Sequence, residues 1–339
     1  MNRYLSYSCT KYNDRIVFFN KELGYVLVEE ENGMTEYLDT EAGAANFAIL
    51  EINNEIYAFS NGNARLEQID GKKVIDLPKA VSKMYANDYI TFGDFWGLLF
   101  GNDFFVCKND NGNARIIHFE DLFGAKIKYV GKSERCLIFL IPGQKLIIYD
   151  AVADLIKRQI NINTELDIIN VFEGDKLYVL ADNGIFYFSE ENNLMPIISS
   201  GVDFKQYGRI HIVDGKILLL PWEVLKEMRI IMIDLDNLSI SEYRNYPSDF
   251  VVSNECDFHS YVRYSIKGDS IYYPPRCSNY FMVINCENGI KWIKADYSDK
   301  HFESSRIRSL IRKRQIIHEI NEKSLECFVQ QAERNIWNK

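Results

Sequence analysis

The sequence predicts an all-β fold: a seven-bladed β-propeller of four-stranded antiparallel blades, followed by a C-terminal α-helical tail. Three observations carry this. Ile16, Ile56, Leu98, Leu137, Leu177, Ile217 and Ile271 each anchor a pair of apolar strands joined by a turn, at separations of 40, 42, 39, 40, 40 and 54 residues. A fixed period near forty, filled with strands, is the signature of a propeller built blade by blade. Residues 1–297 keep no helical period, which excludes leucine-rich and helical solenoids. After Tyr297 the pattern changes to a helical one.

The fifth unit shows the plan most clearly. DIINVFEGD (167–175) reads as the inner strand, KLYVLAD (176–182) as the second, IFYFSEE (185–191) as the third and LMPIISS (194–200) as the outer strand. Asn183-Gly184 separates the middle pair, a strong hairpin signal because both residues tolerate positive φ. Unit 1 follows with RIVFF (15–19), GYVLVEE (24–30), Asn32-Gly33 and MTEYLD (34–39). Unit 2 has NFAILEI (46–52), EIYAFS (55–60), ARLEQID (64–70) and KKVIDL (72–77). Unit 3 carries WGLLFG (96–101), DFFVCKND (103–110), Asn111-Gly112 and ARIIHF (114–119), and unit 4 CLIFLI (136–141), KLIIYD (145–150) and IKRQINI (156–162). Unit 6 has RIHIVDG (209–215), KILLL (216–220), RIIMIDLD (229–236) and LSISEY (238–243). Unit 7 has YVRYSIKGD (261–269), SIYY (270–273), YFMVINCE (280–287) and IKWIKA (290–295). The first unit starts with its own inner strand and the seventh ends with its own outer strand, so ring closure by ordinary packing of the last blade on the first is expected. Residues 1–297 form the propeller domain.

Residues 298–339 form the second expected unit. From 301 onward they hold no Gly or Pro, and Ile307, Leu310, Ile311, Ile317, Leu325, Phe328, Val329 and Ala332 recur at steps of three and four. That is an amphipathic helical pattern, broken near Asn321 to Ser324. The tail is basic, with Arg306, Arg308, Arg312, Lys313 and Arg314 crowded together. It is expected to dock on the acidic propeller or on a partner.

The bulk composition is that of a globular chain: 339 residues, 47% apolar, 26% charged and 14% aromatic, with 21 Tyr and 21 Phe suited to stacked sheets. A net charge of −9 speaks against general nucleic-acid affinity. No apolar run reaches eighteen residues, so no membrane span is expected. Seven cysteines with no CxxC pair point to a reducing, cytoplasmic location.

The stretch GDKLYVLADNGIFYFSEENN (174–193) resembles the repeat of pyrroloquinoline-quinone-type propellers. INCENGIKWI (284–293) does so too, although Trp292 falls three residues after Gly289, one short of that family's spacing. The tandem glycines of kelch repeats and the Gly-His and Trp-Asp dipeptides of tryptophan-aspartate repeats are absent. The resemblance therefore implies the fold, assigns no subfamily and carries over no quinone-binding or catalytic residue.

Loops joining strands two and three, and loops between blades, share one face of a propeller, and binding residues favour such loops. The 54-residue interval holds PWEVLKEM (221–228) and NYPSDFVVSNECDFHS (245–260), and PPRCSNY (274–280) follows. The candidate ligand-binding residues are Tyr207, Arg209, Trp222, Glu223, His259, Arg276 and Tyr280, an aromatic and cationic set suited to a sugar, a carboxylate or an acidic peptide. The competing reading is that these loops cap the ring, with Trp222 packing over a blade end. His211 and Arg263 fall on inner strands, where side chains line the channel or are hydrogen-bonded within the ring.

Catalytic and metal signals are weak. Cys256, His259 and Cys277 make a partial zinc pattern whose fourth ligand, Cys286, falls near the opposite face, so no metal and no cofactor is expected. Asp257, His259 and Ser260 are sequence neighbours that point in different directions, and no GxSxG occurs. A glycosidase or lyase needs two facing carboxylates, for which Glu223, Asp203, Asp167, Asp121 and Asp88 are the candidates. The leading expectation is a non-enzymatic binding or scaffold propeller that recognises a protein, peptide or glycan through the long loops of blades 6 and 7. The alternative is a carbohydrate-active hydrolase or lyase with carboxylates at the channel mouth.

Overall fold

The computed structural model describes residues 8–20, 24–38, 49–60, 65–78, 88–93, 95–108, 115–133, 135–143, 145–162, 166–222, 229–250, 264–274, 278–285 and 289–296. Among them are twenty-eight strands, numbered β1 to β28 in chain order, one short α-helix, α1 (Phe119–Phe123), and a 3-10 turn at Phe204–Gln206. They form seven four-stranded sheets, each made of four consecutive strands paired antiparallel. This is the predicted seven-bladed propeller. The expected helical tail lies outside the described residues.

The inner strands are β1 (Cys9–Tyr12), β5 (Ile49–Ile52), β9 (Asp88–Phe92), β13 (Lys128–Lys132), β17 (Ile168–Glu173), β21 (Tyr207–Val213) and β25 (Ser265–Lys267). The second strands are the most apolar. FWGLLF in β10 (Phe95–Phe100) and CLIFLI in β14 (Cys136–Ile141) are buried at all six positions. Such a strand has a neighbouring blade on each face, so both sets of alternating side chains need apolar partners, and the run is continuous. The outer strand β24 (Ile240–Tyr243) has lost most of this cover and is exposed at three of four positions.

Two turns differ from the sequence reading. The hairpin at Asn183-Gly184 forms, with Ala181 opposite Gly184. Its loop is Asp182-Asn183, and neither these residues nor Gly184 has positive φ. Gly184 instead opens the third strand where a Cβ would lie 2.7 Å from the Ile198 carbonyl oxygen. Helix α1 follows unit 3 where only a strand end was expected. It buries Phe119 against Phe104, Phe139 and Tyr149, joining blades 3 and 4, and stops at Gly124 in the left-handed region (φ 63°).

Neighbouring inner strands belong to different sheets, so side chains join them where a backbone ladder does not. The Asn170 amide donates to the Val130 carbonyl (2.8 Å), and its side-chain oxygen accepts from the Ile210 amide (3.1 Å), tying blades 4, 5 and 6. Ser8 Oγ accepts from the Ile49 amide between blades 1 and 2 (3.2 Å). Both partners lie about one repeat away in sequence, as a ring of repeats requires.

Closure runs from blade 7 to blade 1. The Asp296 amide donates to the Gly33 carbonyl (2.9 Å), Thr35 Oγ1 donates to the Asp296 carbonyl (2.8 Å), and Lys291 Nζ donates to the Glu30 carbonyl (2.8 Å). Phe18 packs on Phe281 at 4.7 Å between ring centres. Among the described residues the first blade is made of β1 to β4 and the last of β25 to β28, with no strand shared between them, as the sequence reading expected.

Candidate functional site

Each inner strand runs along the channel and turns into its blade's second strand. At the end where these turns gather, the ring encloses a cavity of about 670 Å³. Thr10, Glu51, Asn53 and Asn54 line it from blades 1 and 2, Tyr89 to Gly93 from blade 3, and Lys132 and Ser133 from blade 4. Phe172 and Glu173 line it from blade 5, and Tyr264 to Lys267 from blade 7. Asn53 and Asn54 both hold positive φ, the signature of a two-residue hairpin whose twist matches its strands.

Behind the cavity wall lies a buried polar network. Lys132 Nζ donates to Asp88 Oδ1 (2.6 Å) and to the Tyr89 carbonyl (2.8 Å), and the Tyr129 hydroxyl donates to Asp88 Oδ2 (2.8 Å). Lys132 also lies 4.2 Å from the centre of the Tyr89 ring. Burial alone would raise the Asp88 carboxyl, but Lys132, Arg209 and the Tyr129 hydroxyl overcome it and hold the group below the usual carboxylate range. His211 Nε2 and the Tyr273 hydroxyl are 2.6 Å apart. His211 is 1% exposed, and its Nδ1 has no hydrogen-bond partner. Burial, with Arg209 and Lys132 nearby, lowers its pKa to about 3, so the imidazole is neutral at physiological pH.

The remaining acids of the cavity are also paired. The Glu51 carboxylate meets the Lys267 ammonium across the mouth, and Glu173 lies 2.9 Å from Lys157. Of the carboxylates considered from the sequence, Asp203, Asp167 and Asp121 are exposed, and Asp88 is the described one in the channel.

The sequence-predicted ligand residues are placed as follows. Tyr207, Arg209, Trp222 and Tyr280 lie at the opposite ends of their blades from the cavity, where inner and third strands begin and second strands end. Arg209 is 5% exposed and faces the channel, its guanidinium 5.9 Å from the centre of the Tyr264 ring. Tyr207 is buried among blade 5 and blade 6 side chains. Trp222 is half-buried and lies flat over Gly208, where a Cβ would come within 2.4 Å of the indole. Tyr280 is buried beside Phe250 and Trp292, with its hydroxyl donated to Asp249. Glu223, His259 and Arg276 lie outside the described residues, as do Arg263, Asp257, Ser260, Cys256, Cys277 and Cys286.

The cavity residues Lys132, Glu51, Tyr89, Tyr264 and Ser265 were not singled out by sequence reasoning. The available signal was faint: polar or aromatic residues interrupting short inner strands, as in KYVGK of β13.

No family model matches this chain, and no curated protein matches it. Solved structures do. Virginiamycin B lyase from Staphylococcus aureus, as a catalytically inactive variant with quinupristin, superposes with a TM-score of 0.56 at 15% identity over 81% of this chain and 93% of that one. A streptogramin B lyase gives 0.52 at 12% identity over 82% and 92%, and Hsv2 of Kluyveromyces lactis gives 0.51 at 12% over 85% and 97%. The likeness is one of fold. At these identities it carries no residue role to this chain.

Proposed function

We propose that this protein is a non-enzymatic binding propeller that takes a small polar ligand, a peptide segment or a glycan, into the channel end lined by the inner-strand turns. One observation supports this best: the cavity is large enough for such a ligand, yet each described acid in or behind its wall is already engaged by a cation. Asp88 faces Lys132, Glu51 faces Lys267 and Glu173 faces Lys157. General acid–base work on a glycosidic bond needs one carboxylic acid with a raised pKa opposite a second carboxylate. Asp88 is shifted the other way. Aromatic walls at Tyr89, Phe92, Phe172 and Tyr264, with amide and hydroxyl groups at Asn53, Asn54 and Ser265, suit recognition.

A lyase is the competing reading, since lyases are among the proteins of similar fold. The long loops of blades 6 and 7 are the competing surface. Calorimetric titration with neutral oligosaccharides, acidic sugars and short peptides tests all three, using the natural chain and a Thr91→Trp variant that fills the cavity. Saturable binding lost in the variant, with the ligand recovered unchanged, is the expected result. Binding that survives Thr91→Trp would move the site to the loops, and conversion of the ligand would make the protein an enzyme.

A further inference from the structure

The cavity is two-sided in its chemistry. The blades follow one another around the ring, so blades 2 and 7 flank blade 1, and blades 4 and 5 lie across the channel from it. On the side of blade 1 the lining is polar: Thr10, Glu51 and Lys267, with the exposed side chains of Asn53 and Asn54. Across from it, Phe92 of blade 3 and Phe172 of blade 5 stand on either side of Ser133 of blade 4. Phe92 keeps 38% of its surface exposed, with the Arg135 guanidinium 4.9 Å from its ring centre, and Phe172 is half-buried. Among the exposed lining residues, Ile266 of blade 7 departs from this division.

The charged groups of the lining are held in pairs: Glu51 with Lys267, Glu173 with Lys157, and Lys132 with Asp88. A charged ligand would be drawn to one member of a rim pair and repelled by the other. A hydroxyl suits both. It donates one hydrogen bond and accepts two, while a carboxylate offers about four acceptor sites and an ammonium about three donors. The Glu51 and Lys267 side chains keep 24% and 33% of their surface exposed, so each can take a further hydrogen bond without parting from the other. Adjacent hydroxyls present donors and acceptors along one edge, which matches a carboxylate and an ammonium lying side by side. A trans peptide unit presents its N–H and C=O on opposite edges and matches such a pair less well.

We propose that this cavity binds a neutral sugar ring, of the class of a hexose, free or at the end of an oligosaccharide. A sugar ring is two-sided like the cavity, with C–H groups on its faces and hydroxyls around its edge. The C–H face lies toward Phe92 and Phe172, and neighbouring hydroxyls meet Glu51, Lys267 and the side chains of Asn53 and Asn54. The cavity volume of about 670 Å³ suits a ligand of this size. This rests on the channel-binding reading above and narrows it to one ligand class.

The test titrates the full chain with maltose, cellobiose and lactose, with glucuronate and glucosamine as charged counterparts, and with an end-capped tetra-alanine. Saturable binding of at least one disaccharide is expected, about tenfold or more tighter than either charged sugar. Its Kd should stay within about twofold when salt is raised, since no net charge is neutralised. Phe92→Ala should weaken it about tenfold and Phe92→Trp should restore it, a pairing that a folding defect would not produce. The double variant Glu51→Gln with Lys267→Gln keeps donors and acceptors without charge and should hold the affinity within about threefold. Equal or tighter binding of a charged sugar, or no effect of Phe92→Ala, overturns the neutral-sugar assignment. If the capped peptide or a charged sugar binds instead and Thr91→Trp abolishes it, the assignment falls and the channel reading stands. If no probe binds at all, both fall.

Discussion

Lys132 and Asp88, from the inner strands of blades 4 and 3, meet at 2.6 Å inside the channel, with the Asp88 side chain almost wholly buried. Removing the carboxylate takes from Lys132 and Arg209 the buried counter-charge that faces both of them. Asp88→Asn is expected to destabilise the fold by about 3–5 kcal/mol, read as a lower urea midpoint at neutral pH. An unchanged midpoint would show that the pair does not hold these blades together. Because the folded pKa of Asp88 is depressed, its contribution is complete above the ordinary aspartate value near ~3.9 and drains as pH falls below it.

His211 sets a second pH window with its own boundaries. Its folded pKa is about 3, far below the free value, so the unfolded chain takes up a proton that the folded chain refuses. Stability from this group is complete above about 6.5 and falls by up to ~1.4 kcal/mol per pH unit as pH drops toward 3. His211→Gln is expected to flatten the decline between pH 6.5 and 4, measured by thermal melts across pH. A natural-sequence melting curve already flat over that range would show that the imidazole can be protonated in place.

Asn170 joins three blades through one side chain. Asn170→Ala should cost about 1–3 kcal/mol, because the Val130 carbonyl and the Ile210 amide both lose a buried partner. Asn170→Asp keeps the acceptor for Ile210 and loses the donor to Val130. It should not restore full stability, and the order of the three denaturation midpoints checks this.

Gly33 marks the closing seam. Its φ is +76°, and a Cβ there would sit 2.1 Å from the Lys294 carbonyl oxygen of blade 7. Gly33→Ala should loosen the contact between blades 7 and 1, seen as faster amide hydrogen exchange in Gly289–Lys294. Gly143→Ala shares the positive φ (+68°) but meets nothing within 4 Å, so it should cost only the backbone strain, about 1 kcal/mol. Equal effects of the two substitutions would mean that the seam tolerates a side chain.

Much of the fold was legible because a blade is a local object. Leu177 pairs with Phe188 and Ile185 with Ile198, both within one forty-residue unit. Apolar runs and turn residues specify such pairings directly. The inner strands β9 and β13 were harder to see, because DYITF and KYVGK mix polar and aromatic residues along the channel. Tyr207, Arg209, Trp222 and Tyr280 are aromatic and cationic residues near long loops. Composition does not say that Trp222 lies flat on Gly208, or that the Tyr280 hydroxyl is given to Asp249.

The amino-acid sequence by itself determined the repeat, the number of blades and the whole-blade arrangement, since each follows from hydrogen-bonding and burial needs met within about forty residues. The tertiary structure alone decided which side chains share the channel. Asp88, Lys132, Arg209, His211 and Tyr264 come from blades 3, 4, 6 and 7, and what brings them together is ring closure. Closure sets how the inner strands face one another, and with it the charge and depth of the cavity, and no local pattern along the chain encodes that convergence.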